Sequence, residues 1–385
     1  MEGAAIVGAG HTRFGVRPEG PRALAQEAIR RALASVDRGV DGRTIDEGFL
    51  ATLGFGGWQL GNASTVVAEA VGATGLPVTR IENACASGGF AIRAAIRAVQ
   101  SGAELVVVVG VEKMTDVDQA RRRYWLGVSG DTEWERLSGL TFAGVYALLA
   151  SRYIADRPDA REAMRRVAVK NHANGALNPN AHFQKAVSAS DVDRAPRVAA
   201  PLGLFDCCPV TDGAAAVLVT RASNARRYTD TPIYVSGVGA ATDRLAVQER
   251  DEFPHFAASR RAAAEAFRSA PFGPRAVQLA ELHDCFTIAE LLALEDVGLV
   301  GPNEAVAATN AGRTERSGDI PVNPDGGLKA KGHPIGATGV SQVYEVFVQL
   351  RGAAGARQIP GAERALAHNV GGAGATATVT IFERG

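Results

Sequence analysis

Cys85 lies in Asn83-Ala-Cys85-Ala-Ser-Gly-Gly89, after the short run 78–81 and before a stretch with Ile92, Ala95, Ile96 and Val99 at helical spacing. That spacing predicts a thiol at a helix N-terminus. Free backbone N–H groups and the helix dipole there favour thiolate, which predicts a pKa below the usual ~8.5 and a nucleophile. The small Ala-Ser-Gly-Gly residues predict that a substrate carbonyl can approach the backbone closely. His283 and Cys285, in Glu281-Leu-His283-Asp-Cys285-Phe286, fall between a strand at 277–282 and a helix carrying Ile288, Leu291 and Leu292. Open α/β sheets place their ligands at such carboxyl edges. His333, in Lys331-Gly-His333-Pro-Ile-Gly-Ala-Thr-Gly339, stands before Pro334 and a helix at 340–350, and suits a base or donor aimed at a neighbour. In His368-Asn369-Val-Gly371-Gly372, a glycine turn between residues 365–367 and the terminal strand exposes N–H groups that can form part of an oxyanion hole.

Each of these has a plainer reading by itself. Cys85 can be a buried core cysteine, His283 a structural histidine and the 368–374 segment an ordinary hairpin turn. The glycine spacing at 332–339 resembles a phosphate loop, but no Lys-Ser/Thr follows Gly339, which excludes nucleotide hydrolysis of that type. Gly8-Ala-Gly10-His-Thr-Arg13 begins like a dinucleotide fingerprint and fails at Arg13, where a glycine is needed. Cys207-Cys208 precedes a strand-like run and reads as packed core rather than as a metal ligand pair.

The elements that must hold these groups alternate between β-rich and Ala-rich runs, which predicts a layered α/β fold. Leu105-Val-Val-Val-Val109 is continuously apolar and predicts a central strand covered on both faces. Ala4-Ala-Ile-Val-Gly-Ala-Gly10 is similar to Pro232-Ile-Tyr-Val-Ser-Gly-Val-Gly239, and the run 212–220 to the run 374–381, so two similar halves are expected. The breaks divide the chain into a first half at 1–118 plus 201–229, an inserted segment at 119–200 and a second half at 230–385. Within the insertion, residues 151–200 hold nine Lys/Arg against five Asp/Glu. That excess suits either a phosphate-bearing ligand or a solvated helix face.

The 385 residues predict two or three domains, and 46% hydrophobic with 21% charged composition excludes a disordered chain. Lys plus Arg and Asp plus Glu both total 41, so no global field draws the protein to nucleic acid or to an anionic membrane. The longest apolar stretch, residues 140–150, is too short to span a bilayer. The N-terminus runs from Met1-Glu2 straight into strand-like sequence without a secretory signal, which predicts a cytoplasmic protein. Four cysteines without a CxxC pair predict neither a disulfide framework nor structural zinc.

Taken together, Cys85 in CASGG, HDCF at 283–286, GHPIGATG at 332–339 and HNVGG at 368–372 resemble, in order and spacing, the thiolase superfamily, most closely thiolases related to sterol carrier protein. The resemblance extends to Asn171-His-Ala-Asn-Gly-Ala-Leu-Asn-Pro-Asn180 and Asp206-Cys-Cys-Pro-Val-Thr-Asp-Gly213. It implies two βαβαβαββ halves in a five-layered α-β-α-β-α core with an inserted loop domain, a homodimer, and coenzyme A as a substrate with no metal. It further implies Cys85 as nucleophile, His333 as its activator, Cys285 as acid/base, His283 with His333 as holders of the enolate oxygen, and an oxyanion hole at Cys85 and Gly371 beside Asn369. Ordinary thiolases have Asn-Glu-Ala-Phe in place of His283-Asp-Cys285-Phe286, and Cys-x-Gly in place of Asn369-Val-Gly371. The implied reaction is CoA-dependent cleavage of a 3-oxoacyl-CoA, or the reverse Claisen condensation. Thiolase-like retro-aldolases on 3-hydroxyacyl-CoA and non-catalytic lipid-carrier or scaffold subunits are the alternatives. Some prokaryotic relatives need a small zinc-binding OB-fold partner, and the short connection 269–274 suggests a missing piece of the CoA site here too.

Overall fold

The computed structural model describes residues 3–58 and 61–385, so Met1 and Glu2 of the expected N-terminal run lie outside the described residues. The chain begins β1 (Ala4–His11), α1 (Pro21–Ala34), β2 (Glu47–Ala51), α2 (Thr65–Ala70), β3 (Val78–Ile81), α3 (Ser87–Gln100) and β4 (Leu105–Glu112). Next come α4 (Gln119–Gly127), α5 (Phe142–Asp156), α6 (Ala160–Gly175), α7 (Ala189–Arg194) and a small hairpin of β5 (Arg197–Ala199) and β6 (Leu202–Gly203). β7 (Gly213–Arg221) then returns to the main sheet. The remainder is β8 (Ile233–Thr242), α8 (Ala257–Ser269), β9 (Leu279–Glu281), α9 (Thr287–Asp296), α10 (Ala305–Asn310), α11 (Gly327–Ala330), α12 (Thr338–Leu350), β10 (Arg364–Gly371) and β11 (Thr376–Arg384).

Nine strands form one sheet in the order β3-β2-β4-β7-β1-β8-β11-β10-β9. The order mirrors itself about the β1–β8 pair, and the counterpart of β3 in the second half shrinks to a bridge between Ala280 and Val322. The similar sequence runs are equivalent strands: β1 with β8, and β7 with β11.

Alternation along the strands sets the layers. Ala5, Val7, Val107, Val109, Ala216 and Leu218 face outward onto α1 and α2 through Leu24, Ile29, Val66 and Val67. Their neighbours Ile6, Val106, Val108, Val217 and Val219 face inward onto α3 and α12, through the predicted Ile92, Ala95, Ile96 and Val99 with Val343, Val346 and Leu350. Ala365, Ala367 and Phe382 close on those same two helices, while Leu366, Val379 and Ile381 face the layer that includes α8 and α9. The result is the five-layered thiolase fold, with β4 covered on both faces as its continuous apolar run requires.

The inserted segment leaves and rejoins the sheet at β4 and β7 yet packs on the other half. Tyr146, Leu149, Tyr153, Met164 and Val167 share a core with Ile288, Leu291 and Leu292. Its surplus of positive charge is largely paired: Arg152 with Asp156, Arg165 and Arg166 with Glu162, Arg161 with Asp206, Arg194 with Asp191, and Lys170 with Glu290. Such pairing favours the helix-surface reading of these residues over a phosphate site. Among the described residues, no helix is long and apolar enough to cross a membrane.

Candidate active site

The central helices α3 and α12 meet at their N-terminal ends, backbone against backbone. A Cβ on Gly88 would lie 2.8 Å from the backbone nitrogens of Gly339 and Val340, and one on Gly339 would collide with Gly89 N. Gly88 and Gly339 therefore serve this helix crossing, while a Cβ on Gly89 would meet Thr378 and one on Gly336 the backbone of Ala51. The crossing brings the loop before each helix into one place. Cys85 Sγ and one ring nitrogen each of His283 and His333 lie within 4.8 Å of one another, all three residues buried. The two imidazoles are edge to face, with ring centroids 5.1 Å apart. Cys285, also buried, precedes α9 two residues after His283.

Hydrogen bonding separates the two histidines chemically. Thr338 Oγ1 donates to Pro334 O at 2.9 Å, so at 2.6 Å it accepts from His333 Nδ1–H, which leaves Nε2 with a free lone pair. Asn369 works in the opposite sense. Its Oδ1 accepts from Gly89 N–H at 3.0 Å, which fixes its amide as donor to Cys85 O at 2.9 Å and to His283 Nδ1 at 3.2 Å. His283 must then carry its proton on Nε2. Both Nε2 atoms are buried without a protein partner among the described residues. The site thus presents one ring acceptor and one ring donor to whatever enters it.

Burial sets the charge state. Desolvation pushes the Cys85 thiol up to about 12, against the backbone N–H groups of Gly372 and Cys85 that favour thiolate. It holds His333 down to about 3, with Lys331 adding to the effect, and His283 well below its usual value. The resting pair is therefore neutral thiol and neutral imidazole, not the thiolate that a helix N-terminus by itself predicts. Burial dominates because the loop sits inside the five layers, a fact of tertiary structure. Cys285 is raised by the same cause.

Gly371 ends β10 opposite Thr376, and the amide directed at the Cys85 sulfur belongs to Gly372. Gly372 has φ 58°, and a Cβ there would strike Ser129 O. Ala84, immediately before Cys85, holds the strained φ 48° with its N–H on Glu82 Oε1.

A cavity of about 160 Å³ opens onto Cys85 and His333, lined by Met114, Leu126, Phe142, Phe286 and Ile335. Cys207 and Cys208, expected to be packed core, form part of its wall. Through Leu126, Phe142, Ala143 and Val198 it adjoins a groove of about 600 Å³ bearing Arg123 and Arg136, the latter stacked on Tyr124 at 4.2 Å.

Several residues outside the expected set hold this site. Buried Glu112, at the end of β4, accepts from the N–H groups of Leu53, Gly54, Phe55 and Gly336, joining the 333–337 loop to the first half. Asp284 accepts from Leu328 N–H and from Asn171 Nδ2, both at 2.7 Å. Asn171 and Asn323 also donate to Glu290, which pairs with Lys170 at 2.6 Å. Burial and the nearby Glu290 raise Asp284 to about 7. Asn171, Asn174 and Asn178 of the sequence 171–180 reach across to Asp284, Asn323 and Asp325. Tyr146, from the insertion, donates to Gly372 O at 2.9 Å. Polar residues flanked by apolar helix positions were the one sequence signal available for these groups, and it names no partner.

The fold, with its convergent cysteine and histidines, defines a thiolase. Residues 4–223 match the thiolase N-terminal domain and residues 239–384 the thiolase C-terminal domain-like family, and the chain belongs to the thiolase family. It is 43% identical to an acetyl-CoA acetyltransferase of Methanothermobacter thermautotrophicus over the full length of both. It is 31% identical to human sterol carrier protein 2, over 99% of this chain and 72% of that protein. The solved structure of the Ltp2-ChsH2(DUF35) aldolase superposes with a TM-score of 0.84 at 23% identity, over 98% of this chain and 97% of that one.

Proposed function

We propose that the protein is a CoA-dependent thiolase that cleaves a 3-oxoacyl-CoA, or runs the reverse Claisen condensation, through an acyl group on Cys85. The observation that carries this reading is the meeting of Cys85 with an acceptor imidazole and a donor imidazole within 4.8 Å. His333 Nε2 takes the Cys85 proton as the sulfur attacks the 3-keto carbon. The oxyanion rests on backbone N–H groups of Cys85 and the Gly371-Gly372 turn. Collapse breaks the C2–C3 bond and leaves the electron pair on the shorter acyl-CoA as its enolate. The thioester oxygen of that enolate accepts from His283 Nε2–H and from the newly protonated His333, while Cys285 gives its proton to the α-carbon. Free CoA then attacks the acyl-Cys85 thioester. Its thiol proton restores Cys285, and His333 returns its proton to the Cys85 sulfur.

The small apolar cavity suits a short acyl chain. The adjoining groove suits the pantetheine arm, with Arg123 and Arg136 placed for CoA phosphates. The presence of both Cys85 and Cys285, each buried, favours thiolysis over the retro-aldolase alternative, which needs no nucleophilic cysteine. The assembly proposed is a homodimer, together with a small zinc-binding OB-fold partner that completes the CoA site. Full CoA affinity in the purified chain alone would remove that partner from the account. Cys85→Ala is expected to lower 3-oxoacyl-CoA cleavage by about 10⁴-fold or more. Retained cleavage without an acyl-enzyme would refute the thiolase reading.

A further inference from the structure

The wall of the acyl cavity carries one hydroxyl that neither the fold nor the proposed reaction uses. Ser129 lies in the turn after α4, is 8% exposed, and lines the cavity that opens onto Cys85 and His333. Its Oγ is buried without a hydrogen-bond partner among the described residues, a condition it shares with His283 Nε2 and His333 Nε2. Apart from Ser129, His333 and the cysteines, the lining is apolar. The turn is also held in place. Ser129 N–H donates to Leu126 O at 3.3 Å, and its carbonyl oxygen would lie 2.3 Å from a Cβ on Gly372. Farther along the same loop, Glu135 accepts from Asp131 N–H at 3.3 Å and from Val247 N–H at 2.6 Å. A hydroxyl fixed in an apolar wall costs free energy until something that enters the cavity pairs with it.

The two adjoining spaces say which part of a substrate that is. Leu126, Phe142, Ala143 and Val198 line both the cavity and the groove, whereas Ser129 lines the cavity alone. Its hydroxyl therefore faces the acyl group and not the pantetheine arm. No Lys, Arg, Asp or Glu lines the cavity among the described residues, so a charged substituent on the acyl chain would be buried without a counter-ion. A neutral oxygen suits it, since a serine hydroxyl both donates and accepts.

We propose that Ser129 is a specificity-determining residue that selects a short acyl group bearing a neutral oxygen substituent beyond the 3-keto carbon. The inference rests on the thiolase reading and names its substrate class. A hydrocarbon chain of the same shape leaves the Ser129 hydroxyl unpaired, which is worth roughly 10- to 100-fold in discrimination.

The test compares kcat/KM for thiolytic cleavage within two matched pairs: 4-hydroxy- against 4-methyl-3-oxopentanoyl-CoA, and 5-hydroxy- against 5-methyl-3-oxohexanoyl-CoA. The unmodified protein is expected to prefer the hydroxylated member of at least one pair by roughly 10- to 100-fold. A ratio near one in both pairs would overturn the proposal. Ser129→Ala is expected to erase the preference by lowering kcat/KM for the hydroxylated member. A preference that survives the substitution, or an equal loss for both members of a pair, would also overturn it. If that variant does not fold, Ser129→Cys keeps the size and weakens the hydrogen bond, and is expected to lower the ratio. An unchanged ratio there would contradict the proposal. Failure of the unmodified protein to exchange the acetyl group of acetyl-CoA with labelled CoA would instead overturn the thiolase reading.

Discussion

The outer layers of the two halves are buried by opposite means. Over the first half, α1 and α2 rest on the sheet mainly through aliphatic side chains, Leu24, Ile29, Val66 and Val67 against Val107 and Leu218, with Arg31 donating to His11 O at the edge. Behind the second half the interior holds Lys170 with Glu290 and Lys331 with Asp325, beside the buried Asn171, Asn323 and Asp284. Apolar packing has no direction, whereas a buried network must satisfy each donor and acceptor and so fixes geometry. The first half brings one side chain of the candidate site, Cys85, on a loop held by a helix crossing. The second brings His283, Cys285, His333 and Asn369, and its polar interior ties their loops to one another and to the insertion.

This contrast is open to measurement. Glu290→Gln leaves Lys170 buried without its counter-charge, and a loss of about 3–5 kcal/mol in unfolding free energy is expected by denaturant titration. A loss below about 1 kcal/mol would mean the network is dispensable. Next is the donor role of His283. His283→Ala should lower turnover about 10²-fold or more with Cys85 still acylated. Asn369→Asp would instead draw the His283 proton to Nδ1 and free Nε2. Cys85, His283 and His333 would then all offer lone pairs, so zinc binding followed by calorimetry should appear in that variant and be far weaker in the unmodified protein. Equal zinc affinity in both would contradict the tautomer assignment.

Smaller still is a pH effect on the polar side. Burial holds His368 at about 4 in the folded protein, whereas an unfolded histidine titrates near 6.5. The unfolded state therefore binds the extra proton first, and this share of stability, full above about pH 6.5, is lost as pH falls toward 4. The deficit of His368→Asn relative to the unmodified protein should shrink by about 2 kcal/mol between pH 7 and pH 5. A constant deficit would contradict the neutral buried state. On the aliphatic side, Ile29→Val removes one methylene from a fully buried position. It should cost about 0.5–1.5 kcal/mol with no pH dependence and no change in turnover.

The sequence already showed the layered fold, because apolar residues at period two and period 3.6 mark which faces of β4, α3 and α12 are covered. It also marked the loops carrying Cys85, His283, Cys285 and His333, since each follows a strand or precedes a helix, whereas Asn369, expected in a glycine turn, lies within β10 opposite Thr378. Partners were another matter. Tyr146 meets Gly372 across 226 positions and Asn171 meets Asp284 across 113, and no periodicity reports such a pairing. The thiolate expected at Cys85 failed for the same reason: a helix N-terminus is visible locally, while the enclosure that outweighs it is assembled from both halves. Cys207 and Cys208 gave only the signal of a buried pair, and the cavity they border is formed by distant segments.

The central claim is that Cys85 takes up the acyl group with its proton held by His333. Intact-protein and peptide mass spectrometry after brief exposure to a 3-oxoacyl-CoA tests it most directly. The account predicts one added acyl group on the peptide containing Cys85, lost on adding free CoA and absent from Cys85→Ala. An acyl group on Cys207, Cys208 or Cys285 with Cys85 unmodified, or cleavage proceeding with no adduct at all, would contradict it.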